Sequence, residues 1–133
     1  MTKEQRNLEI GKMIGMIFEH GYVINWKDYL YLMSNFEESP RFHSDWKWLM
    51  EAVDFIEKLD LTDEHYSWED DEGKTRNNFK CLSVDIERNR CYIDEELELD
   101  PPHCVVQYVG ENKLDATFIC VSDFAKIFNE RKK

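Results

Sequence analysis

The chain has 133 residues, 42% hydrophobic and 14% aromatic, with a formal net charge of −11. That size and apolar content suit one domain with a single core, and no run approaches the roughly 18 to 20 apolar residues of a membrane helix. Six basic residues face 18 acidic ones between positions 51 and 111, a balance that disfavours a phosphate-backbone ligand and favours a basic protein partner.

The opening "MTKEQRNLEI" has no apolar signal-peptide core, so a cytoplasmic location is expected. Thr2 and Gln5 have the spacing of a reciprocal capping box. Ile10, Met13, Ile14, Ile17 and Phe18 fall on one side at about 100° per residue, and Gly21 supplies a left-handed stop. A helix over residues 3–20 is expected. "YVINWKDYLYLM" is aromatic and β-branched and reads as short strands. "SNFEESPRFH" is a connector, because Pro40 disfavours helix at Ser39.

With Ser44 as N-cap, a helix over 44–59 places Trp48, Ala52, Phe55 and Leu59 on one stripe and Trp46, Leu49, Val53 and Ile56 beside it. Lys47, Glu51, Asp54, Glu57 and Lys58 share the opposite face. So broad an apolar surface suits a helix lying on a sheet. His43, just before the cap, can staple against Trp48. His43, Ser44, Trp46 and Trp48 are thus explained as the structural start of this helix.

Residues 60–78 lose the hydrophobic period and carry seven acids by position 72, which reads as an exposed loop with mobile parts. Leu82, Val84 and Ile86 then alternate with Ser83, Asp85 and Glu87, and "CYIDEEL" follows a polar "RNR". This is a β-hairpin over 79–97, turning near Asn89. "HCVVQYV" is a third strand whose unbroken apolar run suits a central position. The last helix is expected over 113–130, with Leu114, Phe118, Val121, Phe124 and Phe128 buried. Together these elements give an α+β fold, three helices on a short antiparallel sheet, in one domain spanning 1–133.

The run F-H-S-D-W-K-W-L-M-E-A-V from Phe42 to Val53, with the ending "KLDATFICVSDFAKIFNE", resembles a family of short proteins from phages and prophages of Bacteroidetes-type bacteria. The resemblance implies an α-β-α, phage sandwich-like domain. The acidic insertion at 60–78 departs from the family pattern. The family carries no described reaction, so no catalytic residue comes with it.

The residues themselves offer little chemistry. His20, His43, His65 and His103 never fall at i, i+3 or i+4 from one another, so no metal or cofactor is expected. "DEELELD" and "EDDE" lack the alternating ligands and central Gly of a calcium loop. There is no P-loop, G-x-G-x-x-G or G-x-S-x-G. Cys81, Cys91, Cys104 and Cys120 form no C-x-x-C and read as buried or half-buried thiols. Asp85 and Glu95 are the acid and base an enzyme would need if a cleft joined them. The first expectation is instead a non-catalytic accessory protein binding a basic protein through Asp63, Glu64, Tyr66, Trp68, Glu69, Asp70 and Asp71, with Glu95, Glu96 and the other carboxylates of Asp94 to Asp100. The aromatics would anchor and the acids steer. The alternative is a small-molecule binder with an aromatic pocket near Trp26, Tyr29 and Trp46. An enzyme ranks third.

Overall fold

The computed structural model describes residues 1–19, 22–25, 40–61, 68–69, 75–76, 79–80, 82–95 and 103–130. Its helices are α1 (Lys3–Met13), α2 (Trp46–Glu57) and α3 (Lys113–Glu130). Its strands are β1 (Ile17–Glu19), β2 (Tyr22–Asn25), β3 (Asp60–Leu61), β4 (Trp68–Glu69), β5 (Thr75–Arg76), β6 (Phe79–Lys80), β7 (Leu82–Glu87), β8 (Arg90–Glu95) and β9 (His103–Val109). Among the described residues, three helices and the antiparallel sheet β7-β8-β9 make an α+β fold. The remaining strands pair as β1-β2, β3-β6 and β4-β5.

The capping box forms: Thr2 Oγ1 accepts the Gln5 N–H at 3.1 Å, and Gln5 Oε1 accepts the Thr2 N–H at 2.8 Å. The helix stops earlier than its apolar spacing suggests. Gly15 takes φ +96°, its N–H bonds to Lys12 O and the Met16 N–H reaches back to Gly11 O, which is the Schellman pattern. Gly15 rather than Gly21 is therefore the stop. Ile17 and Phe18, read as helical, belong to the β1-β2 hairpin.

A turn over Phe42–Ser44 leads into α2, whose cap is Asp45 and not Ser44: Asp45 Oδ1 accepts the Lys47 N–H at 2.9 Å. Both residue types cap helices, and the Ser44 and Asp45 N–H groups both bond to Arg41 O, placing Ser44 one step outside the helix. Asp45→Ala should accordingly cost about 1 kcal/mol in a denaturant melt, while Ser44→Ala should leave the midpoint unchanged. Trp48, Leu49, Ala52, Val53 and Ile56 are buried as the stripe requires, but Trp46, the first helical residue, is 39% exposed.

The layers follow from the apolar faces. Helix α3 packs across β8 and β9, α2 lies on β7 and against α3, and α1 packs along α3. Arg6 ties α1 to α3 through Ser122 Oγ and Asp123 Oδ1, both 2.7 Å away, and Asn129 Nδ2 donates to Glu9 O at 3.0 Å. The core joins Ile10, Trp48, Leu49, Ile93, Val121 and Phe124. Strand β8, not β9, is central in the three-stranded sheet. The unbroken apolar run of β9 has another cause: a register shift pairs Ile93 with Val106 and Asp94 with Cys104, and this bulge lets successive valines, Val105 and Val106, both meet the core.

Candidate functional site

The β7-β8 hairpin separates two kinds of side chain. Leu82, Val84 and Ile86 face the helices with Cys91, Ile93 and Glu95, their register partners. The opposite face carries Ser83, Asp85, Glu87, Arg90, Tyr92 and Asp94, with Gln107 of β9 paired to Tyr92. There Ser83 Oγ donates to Asp85 Oδ2 at 3.2 Å, and Arg90 donates to Gln107 Oε1 at 2.8 Å while its guanidinium lies 5.2 Å from the Tyr92 ring centre. Asp85 first, then burial, Glu87 and Asp94, push the Tyr92 phenol above its ordinary value against the opposing charge of Arg90. The face is therefore electronegative around an aromatic ring that already holds one guanidinium, an arrangement suited to cationic side chains.

The residues singled out in the sequence are placed as follows. Trp68 and Glu69 form β4, paired with Arg76 and Thr75, so this part of the supposed loop is extended. Residues 60–61, 75–76 and 79–80 are also strand. Glu95 is 2% exposed, so it is not a surface contact. The strand period that buries Cys91 and Ile93 buries Glu95 as well. Asp85 lies on the other side of the sheet, and the two carboxylates do not converge as an acid and base. Asp63, Glu64, Tyr66, Asp70, Asp71 and Glu96 lie outside the described residues, as do Trp26, Tyr29, His20, His65 and Cys81. The sequence reading missed Tyr92 as the centre of an acidic face, although the alternation of the hairpin already sets Asp85 and Glu87 opposite Leu82, Val84 and Ile86.

His43 does not staple against Trp48. Phe42 meets the Trp48 ring edge-on at 5.3 Å, and His43 turns to Phe118 and α1. Asn7 is the hub: its Oδ1 accepts the Phe42 N–H at 3.0 Å, so its Nδ2 donates to Lys3 O at 3.1 Å and to His43 Nδ1 at 3.0 Å. His43 is thereby a neutral ring with its proton on Nε2. Burial first, and then Lys3, hold its pKa below 6.5 despite Glu4. A folded pKa below the unfolded one means that the unfolded chain binds more protons in acid. The contribution of His43 is thus complete above pH 6.5 and is lost as pH falls through the lowered folded value. The midpoint of urea unfolding should drop between pH 7 and pH 5, and His43→Gln should flatten that drop.

A groove of about 430 Å³ lies beside this network, bounded by Lys3, His43, Glu111, Leu114, Asp115 and Phe118. Cys91 and Cys120 are fully buried, and the neighbouring Cys91 thiol together with burial pushes the Cys120 thiol up, leaving it a neutral packing group. Cys104 and Cys120 both point at Val106 O, at 3.6 and 3.8 Å, and Cys91 and Cys120 carry free thiols. Among the described residues no group of three or more His, Cys, Asp or Glu is arranged to hold a metal ion, and no helix is long and apolar enough to cross a membrane. Comparison with protein-family models, with curated proteins and with solved structures finds no match to this chain.

Proposed function

We propose that the chain is a non-catalytic binding module that meets a basic protein through the outer face of its sheet. One observation carries this reading: Asp85, Glu87 and Asp94 surround Tyr92 on one surface, and Arg90 already stacks on the ring. An arriving Arg or Lys meets the same ring and the same carboxylates, so the charge steers the encounter and the ring supplies a contact that persists. The acids of residues 63–72 and Glu96 add to the net negative charge of the chain, which favours a basic partner in this reading. Action as a phage- or mobile-element-encoded accessory protein in the bacterial cytoplasm rests on the likeness of Phe42–Val53 and of the last helix to the phage and prophage family.

The test is affinity capture from a Bacteroidetes lysate with the parent chain and with a variant carrying Asp85→Asn, Glu87→Gln and Asp94→Asn. A captured basic protein should associate with the variant about 10-fold more slowly at low salt, with a weaker salt dependence. Capture that is equal for both chains at every salt concentration would remove the sheet face as the binding surface.

A further inference from the structure

The groove beside His43 shares no lining residue with the acidic sheet face, and its side chains have a different chemistry. Lys3 and His43 lie together, and Asn7 occupies Nδ1 of the ring, so the Nε2–H on the far edge is a neutral donor. Glu111 and Asp115 bring two carboxylates to the groove, where the Glu111 backbone N–H donates to Asp115 Oδ2 at 3.0 Å. Leu114, Phe118 and Ile119 supply an apolar wall. The charge of Arg6, which also lines the groove, is engaged by Asp123 at 2.7 Å. A simple anion would meet the Glu111 and Asp115 carboxylates, and a simple cation would meet Lys3.

We propose that this groove binds a small zwitterion with an apolar body, the chemistry of a free aliphatic or aromatic α-amino acid. The ligand carboxylate takes the Lys3 ammonium and the His43 Nε2–H, the ligand ammonium takes Glu111 and Asp115, and the apolar body lies on Leu114 and Phe118. About 430 Å³ is enough space, since sites for small molecules run from about 300 to 1,000 Å³. Lys3 and Glu111 are exposed, so each charge keeps part of its hydration and recognition requires both ends of the ligand together.

The experiment is amide-resolved NMR titration of the full chain with L-phenylalanine and L-leucine, alongside 3-phenylpropionate, which lacks the ammonium, and phenethylamine, which lacks the carboxylate. The amino acids should move the Leu114, Phe118 and Ile119 amides saturably, and each one-charge analogue should bind at least about 10-fold more weakly. Lys3→Met and Glu111→Gln should each weaken phenylalanine binding by a similar factor. Both positions are exposed and outside the core, so the fold is retained and unchanged thermal midpoints will verify it. Absence of saturable shifts with both amino acids, equal binding of 3-phenylpropionate, or parent-like binding by both variants would overturn the proposal.

Discussion

Trp48→Ala should destabilise the fold by about 3–5 kcal/mol, the largest loss expected from any single substitution considered, and should lower the urea midpoint without a new intermediate. Trp48 is 0% exposed, Phe42 meets its ring edge-on at 5.3 Å, and the Arg41 guanidinium lies 5.6 Å from the ring centre. Removing the indole opens a cavity where α2 meets the turn that precedes it, and helix ends fixed from both sides relax poorly into such a space. Among the described residues the indole N–H finds no hydrogen-bond acceptor. Trp48→Phe, which keeps most of the apolar contact and deletes that buried donor, should therefore cost only about 1 kcal/mol. Equal losses for the two variants would mean that the indole N–H, rather than the ring volume, matters.

Asn7→Asp should cost about 3 kcal/mol at neutral pH and reverse the acid response of the chain. Asn7 is 5% exposed and serves three neighbours at once. A carboxylate at position 7 still accepts the Phe42 N–H, but its second oxygen faces the Lys3 carbonyl and the His43 Nδ1 lone pair, where a donor is needed. Protonating either the new carboxyl or His43 restores that donor. Both folded pKa values then lie above their unfolded ones, so the variant gains stability as pH falls while the parent loses it. Unfolding midpoints for both chains from pH 7.5 to 5 should therefore run in opposite directions. Parallel curves would show that the Asn7–His43 bond does not set the protonation of the ring.

The parts of the fold legible in the sequence are those governed by local period. Helix α3 follows from its 3.6-residue stripe, and the β7-β8 hairpin from alternation around a polar turn. The misread features arise where two local signals compete. Gly15 and Gly21 both offer a helix stop, and Ser44 and Asp45 both offer a cap. Only the return bonds to Gly11 and Lys12, and the Asp45 Oδ1 bond to the Lys47 N–H, decide between them. Glu95 was legible in principle, since it keeps step with Cys91 and Ile93, but the acidic run that follows hides the strand period. The Asn7–His43 hub joins residues 36 positions apart, and no periodicity carries such a contact. The groove is equally non-local, with Lys3 and Glu111 supplied by opposite ends of the chain.

The most direct test of the acidic sheet face is an NMR titration of the isotope-labelled chain with an arginine-rich peptide, with a glutamate-rich peptide of equal length as control. A basic partner surface predicts saturable shifts at Asp85, Tyr92, Asp94 and Gln107 with the arginine peptide alone. These should weaken as salt screens the field and disappear in the variant carrying Asp85→Asn, Glu87→Gln and Asp94→Asn. Shifts confined to residues outside β7, β8 and β9, or shifts at Tyr92 that survive in that variant, would contradict the assignment of this face as the binding surface.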